Sequence, residues 1–295
     1  MVTPFNEAGE INESEVRRIA RWLVRDQSND GIVVAGTTGE SPTLSPEEKL
    51  RLLEIVLDEV GSEAAIVFGA GTYDTRESVH LTHEASQRGA HGIMAVNPYY
   101  NRPGQEGLEA HFREIAGATQ LPVMLYNIQP RSAINLETET LLRLAEVENI
   151  VAVKEASGNL NQITDICSQL PHGFRVYSGD DGLILPTLSV GGVGLVSVAA
   201  HCIGKDLKAV ISKYAAEPLK ARQSFHRVLP FIRAIFAQPS PVPIKYCLSR
   251  LGFDCRSVRL PLVELRRNSQ HDLDSVMVRC GLLDAAQAGL VEWRG

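Results

Sequence analysis

Residues 150–155 read Ile150-Val151-Ala152-Val153-Lys154-Glu155, an apolar, β-branched run that stops at a charged pair. A run this short and this continuous predicts a strand covered on both faces, as in a parallel sheet flanked by helices. Six more runs of the same kind lie along the chain: 32–35, 65–68, 93–96, 123–126, 174–177 and 194–198. Each is followed by a glycine or polar knot and then by a segment of helical periodicity. Val2 to Phe5 reads as the tail of an eighth strand. Eight strand-helix units in succession predict a closed parallel (β/α)8 TIM barrel over residues 1–215, with an open doubly wound sheet as the alternative.

The helices between the strands are marked by their caps. Ser45-Pro46-Glu47-Glu48 places Ser at the N-cap, Pro at the first helical position and Glu at the third, and Asn12 with Glu15 and Asp74 with Glu77 repeat the spacing. Val16, Ile19, Ala20 and Leu23 then form one apolar stripe. Residues 216–295 read as further helices, 219–236, 243–251 and 273–283, with no Pro/Gly/Ser linker before them. They are expected to form a C-terminal helical layer packed on the barrel.

Composition narrows the function. The net charge of -6 gives no basic field for phosphates, so nucleic acid is not expected as a partner. Five cysteines stand singly, with no C-x-x-C pair or matching histidine spacing, so no metal site is expected and the thiols suit a reducing compartment. No signal peptide and no run of membrane-spanning length are visible, which places the chain in the cytoplasm.

In parallel barrels the reactive groups sit where strands end and loops begin. Gly36-Thr37-Thr38-Gly39-Glu40, Asn97-Pro98-Tyr99-Tyr100-Asn101, Tyr126-Asn127, Lys154-Glu155 and Ser178-Gly179-Asp180-Asp181 all fall there. Alone, a strand-end lysine such as Lys154 more often reaches solvent. If instead it points inward, burial disfavours the ammonium, and a neutral amine attacks carbonyls. A Schiff-base enzyme also needs a proton shuttle; Tyr126 ends the preceding strand, with Tyr100 and Thr37 as candidate relay partners. The Gly36–Gly39 segment suits a carboxylate nest better than a phosphate loop, since no Walker lysine follows it. Other signals weigh less: Gly191-Gly192-Val193-Gly194 precedes a strand and fails the dinucleotide pattern, Asp180-Asp181 suits a helix cap, and His80 with His83 suits a solvated face.

With those five motifs in order, the chain resembles the dihydrodipicolinate synthase / N-acetylneuraminate lyase family of class I pyruvate-dependent aldolases, from Met1 to about Leu283. The resemblance implies a homotetramer made of two tight dimers, and no cofactor beyond a covalent Schiff base on the enzyme. It assigns Lys154 as the imine-forming lysine, Tyr126 as the proton-transfer tyrosine, Thr37 as the link between two tyrosines and Tyr100 as the tyrosine given across the dimer interface. Thr38 is implied as a pyruvate-carboxylate ligand, with backbone groups of Gly179 and Val196 lining the pocket, and Arg131 as the ligand of the second substrate's carboxylate. Within the family, Pro98 to Pro103 and Arg131 resemble the synthases, which condense pyruvate with L-aspartate 4-semialdehyde in lysine and diaminopimelate biosynthesis.

The chain departs from that pattern in three places. Ile128-Gln129-Pro130-Arg131-Ser132-Ala133 moves the usual proline and puts Ala at a position that is commonly Gly or Asn. Lys49 and Tyr73 stand where lysine-inhibited synthases tend to carry His and Asn, although Tyr99 and Glu77 match, so lysine inhibition is expected to be weak. The first strand starts at Met1, several residues shorter than is usual for the family. The altered loop leaves two other activities open: a related aldolase or hydratase-lyase of a 2-keto-3-deoxy sugar acid, N-acetylneuraminate or 4-hydroxy-2-oxoglutarate, and, of another class, a non-catalytic 2-oxo acid sensor.

Overall fold

A computed structural model of the chain describes residues 1–286 and 288. The first helix is α1 (Glu13–Arg21), capped by Asn12, whose side chain accepts from Glu15 N, and continued by a π-helical turn at Trp22–Asp26. The apolar runs become parallel strands with helices between them: β1 (Gly31–Val34), α2 (Pro46–Val60), β2 (Ala65–Gly69), α3 (Thr75–Gln87), β3 (Gly92–Val96) and α4 (Gln105–Gly117). Next come β4 (Val123–Asn127), α5 (Gln129–Ser132), α6 (Thr138–Leu144), β5 (Ile150–Glu155), α7 (Leu160–Gln169), β6 (Arg175–Ser178), α8 (Ile184–Ser189) and β7 (Gly194–Leu195). The chain then forms α9 (Ala200–Tyr214), α10 (Pro218–Ile235), α11 (Val242–Arg250) and α12 (Arg267–Arg279).

Each strand pairs with the next in sequence, β1 through β7, all parallel. A doubly wound sheet reverses its order at a switch point. This one does not, so that alternative is set aside. Ile66, Phe68, Ile93, Ala95, Val123, Leu125 and Val153 are completely buried on one face, and Met94, Tyr126 and Ala152 are buried on the other, as strands covered on both faces require. The predicted cap of α2 forms a full capping box: Glu48 N donates to Ser45 Oγ at 3.2 Å and Ser45 N to Glu48 Oε2 at 2.9 Å.

The expected eighth strand is corrected. Val2–Phe5 joins no ladder among the described residues; Phe5 makes one antiparallel bridge to Ile11. Pro4 has no N–H to give a ladder, and the Val2 N–H is taken by His201 Nε2 at 3.1 Å. The last helix also shifts, from the expected 273–283 to Arg267–Arg279. Leu273 and Met277 still form its buried face, while Gly281, at φ +72°, stands just beyond its end. Residues 287 and 289–295 of the expected helical layer lie outside the described residues.

Two compact units result. One holds Asp30–Gly36 and Leu44–Ser197, with all seven strands and α2 to α8. The other gathers Met1–Asn29, Thr37–Thr43 and the described chain from Val198 onward, with α1 and α9 to α12. Among the described residues no helix is long and apolar enough to cross a membrane.

Candidate active site

The ends of β4, β5 and β6 form two rows. Tyr126, Lys154 and Tyr177 are register partners, and one residue further Asn127, Glu155 and Ser178 are partners in turn. Side chains alternate along a strand, so the two rows face opposite sides of the sheet. The register depends on a bulge: Val123 pairs with Ile150 but Met124 with Ala152, which leaves Val151 as an extra residue on β5. Without it Val153 would pair with Tyr126 and Lys154 with Asn127, because a one-residue slip exchanges the faces.

Lys154 is half-buried, and its Nζ lies 3.9 Å from the centroid of the Tyr126 ring, itself buried. Among the described residues the ammonium has no carboxylate partner. Gly179 borders the same space: a β-carbon there would sit 2.9 Å from Lys154 Cε, 3.0 Å from its Cγ and 2.8 Å from Ala156 Cβ. The absence of a side chain at 179 is therefore what lets the lysine lie along this path. Gly179 N donates to Glu155 O at 2.7 Å and Val196 N to Ser178 O at 2.9 Å, so the backbone at both positions is held by the strand ends. Asp180 caps the turn that follows, accepting from Gly182 N at 2.8 Å.

Thr37 and Thr38 fall in the other unit, on a single 3-10 turn (Thr37–Gly39) closed by Glu40 N donating to Thr37 O at 3.1 Å. Thr3 Oγ1 donates to Gly39 O at 2.7 Å. Glu40 ends the turn at φ +58° and is buried, its carboxylate accepting from Lys245 Nζ at 2.6 Å and from Arg259 N at 3.0 Å. Lys245 is 0% exposed and also donates to Thr3 O at 2.9 Å. Burial pulls the lysine's pKa down while Glu40 pulls it up.

Arg131 and Tyr100 stand apart from these groups. Arg131 lies on the one-turn helix α5, exposed, its guanidinium without a hydrogen bond or ion pair among the described residues. Ala133 then takes the left-handed conformation, φ +61°, which accounts for the Gly or Asn more usual there. Tyr100 is 90% exposed, at φ +73°. In the same loop Asn101 Nδ2 donates to Tyr73 O at 2.7 Å, and the Tyr73 and Tyr99 rings meet edge to face at 5.4 Å. Four residues after Tyr73, Glu77 Oε1 lies 3.9 Å from Nζ of the buried Lys49. His80 and His83 are exposed on α3.

On the face opposite Lys154, Asn127 and Glu155 are buried and joined. Asn127 Nδ2 donates to the Glu155 carboxylate at 3.0 and 3.3 Å, and Ser157 N donates to the same carboxylate at 2.6 Å. Burial raises the Glu155 pKa, and these hydrogen bonds oppose the rise.

A family model described as the dihydrodipicolinate synthetase family matches residues 1–279. The chain belongs to this family. It is 48% identical over 284 residues to the 4-hydroxy-tetrahydrodipicolinate synthase of Moorella thermoacetica, covering 96% of this chain and 97% of that one. Against the enzyme of the same name from Bacillus subtilis it is 44% identical over 279 residues, 94% of this chain and 96% of that one. Among solved structures of the family, a dihydrodipicolinate synthase from Cyanidioschyzon merolae with lysine bound superposes with a TM-score of 0.94 at 40% identity, over 96% of this chain and 97% of that one. One from Bacillus anthracis gives a TM-score of 0.91 at 42% identity, over 94% and 95%.

All eight site residues expected from the sequence lie inside the span of the family model. The structure brings Lys154, Tyr126 and Gly179 into contact, and sets Val196 at the neighbouring strand end. Two groups escaped the sequence reading. Glu40 and Lys245 could have been suspected from one charge in the Gly36–Glu40 motif and one inside the apolar run 242–248. The Asn127–Glu155 pair carried no signal beyond adjacency to Tyr126 and Lys154.

Proposed function

We propose that this lyase is a 4-hydroxy-tetrahydrodipicolinate synthase, condensing pyruvate with L-aspartate 4-semialdehyde through an imine on Lys154. The observation that carries this is Lys154 Nζ lying against the Tyr126 ring with no carboxylate partner among the described residues, in a family whose compared members are named for that activity. Lys154 Nζ attacks C2 of pyruvate, and the carbinolamine loses water to give the imine. The imine nitrogen is the electron sink, so the reading needs no cofactor. Loss of a C3 proton gives an enamine, which forms the new carbon–carbon bond to the aldehyde. The amino group of the second substrate then displaces Lys154 and closes the ring. One water leaves overall.

In this reading Tyr126 carries protons to and from the carbinolamine, with Thr37 and Tyr100 as its relay. The full exposure of Tyr100 suits a side chain completed by a second copy of the chain, and hence a dimer within a tetramer. Thr38 receives the pyruvate carboxylate, backbone groups at Gly179 and Val196 line the pocket, and the guanidinium of Arg131 grips the carboxylate of the aldehyde. The unreversed order of seven parallel strands supports a barrel of the (β/α)8 type over residues 1–215, with seven of the expected eight strands formed among the described residues.

Borohydride trapping with pyruvate, followed by peptide mass spectrometry, tests the imine. A label on Lys154 is expected, and a folded protein without one overturns the reading. Coupled assays with the semialdehyde beside 2-keto-3-deoxy sugar acids and 4-hydroxy-2-oxoglutarate test the partner; turnover of the semialdehyde is expected to dominate. Lysine inhibition is expected to be weak, because the Glu77 carboxylate that would meet a cationic effector already faces Lys49. The Cyanidioschyzon merolae structure carries bound lysine, so an inhibition titration of both enzymes side by side measures the difference.

A further inference from the structure

The buried network behind Lys154 takes no part in these steps, yet it reaches from the imine-bearing strand to the loop that carries Arg131. Asn127 and Glu155 sit one residue beyond Tyr126 and Lys154, 0% and 1% exposed. The Asn127 side chain has four partners: Nδ2 donates to Glu155 and, at 2.8 Å, to Asn135 Oδ1, while Oδ1 accepts from Leu136 N at 3.0 Å and from Asn97 Nδ2 at 2.9 Å. Asn135 Nδ2 donates in turn to Gln162 Oε1 at 2.7 Å, in the first turn of α7. The loop thus leaves β4 at Asn127 and is tied back at residues 135 and 136 to the same asparagine.

This arrangement has a mechanical need. Helix α5 is four residues long, far below the length at which a helix holds itself, and its end at Ala133 is strained. The buried Ser132 hydroxyl closes the turn onto Ile128 O and Ile134 O, at 3.0 and 2.9 Å, but among the described residues no partner holds the guanidinium of Arg131. A buried carboxylate and two amides also cost desolvation that apolar packing would avoid, and such networks are kept where they fix one geometry.

We infer that Asn127, Asn135 and Glu155 are positioning residues for the second substrate: they hold the Arg131 loop in fixed register with the Lys154 strand, and so set the span between imine and guanidinium that an aldehyde acid must bridge. The inference rests on the roles proposed above for Lys154 and Arg131. Disturbing the tie affects capture of the aldehyde and leaves formation of the pyruvate imine alone, because the tie lies on the opposite face of β5.

The test uses Asn135→Ala, since Asn135 is half-buried and its loss leaves the Asn127–Glu155 pair intact. The KM for the semialdehyde is expected to rise about tenfold, while borohydride labelling of Lys154 with pyruvate stays within about twofold of the unmutated enzyme. Hydrogen–deuterium exchange of residues 128–136 is expected to quicken, with β4 and β5 unchanged. An unchanged KM, a labelling rate that falls in step with aldehyde capture, or an unaltered exchange of the loop each overturns the inference. If the unmutated enzyme labels on Lys154 but ignores the semialdehyde, the substrate reading falls instead, and the exchange measurement still decides whether the loop is tied.

Discussion

Gly179 and Ala133 show how single backbone positions bear on the site. The lysine chain passes so close to residue 179 that a β-carbon at 2.9 Å from Cε forces it aside. Gly179→Ala is therefore expected to slow pyruvate labelling of Lys154 by about tenfold to a hundredfold, measured as the rate of borohydride-trapped adduct. Ala133 has the reverse problem, a side chain where the backbone turns left-handed at φ +61°. The strain outweighs the extra freedom that glycine gives the unfolded chain, so Ala133→Gly is expected to stabilise by about 0.5–1 kcal/mol, read from the urea midpoint.

At the scale of elements, Glu40, Lys245 and Arg259 join the turn Thr37–Gly39 to α11 and the segment after it. Phe5 adds to the joint, its ring centroid 4.6 Å from Lys245 Nζ and 4.4 Å from the Arg259 guanidinium carbon. An ion pair this deeply buried is of small net worth, but removing one partner strands the other charge. Lys245→Met is expected to cost about 3–5 kcal/mol, and pairing it with Glu40→Gln to recover much of that. A double-mutant cycle by urea denaturation measures both. The caps of α1 and α2, by contrast, were legible because they depend on residues three apart, while Asp74 caps α3 through Arg76 N and not through Glu77; the clamp joins residues 205 positions apart, and no local pattern announces it.

For the molecule as a whole, two buried histidines couple stability to pH. Burial lowers His111 to about 4 and His201 to about 3, so the fold holds both in the neutral form. Their contribution is fully present above the unfolded value of 6.5 and is lost as pH falls toward those values. Glu155, raised by burial, works in the opposite sense, favouring the fold at low pH. Two histidines that take up protons on unfolding stand against one carboxylate that releases its own, which sets the sign between about pH 6.5 and 4. The urea midpoint is expected to fall steadily across that window, and His111→Gln to flatten the slope.

The sequence alone determined the parallel strand-helix order, the caps and the row of reactive residue types at strand ends, because each rests on neighbours within a few positions. It also placed Lys154 beside Glu155 without saying which of the two faces the site. Only the tertiary structure decided that, through the extra residue Val151, which sets the β4–β5 register and turns the lysine toward Tyr126 and the carboxylate toward Asn127. The eighth strand was misread for the same reason: an apolar run becomes a strand only if a neighbour takes its hydrogen bonds, and here His201 takes the one from Val2.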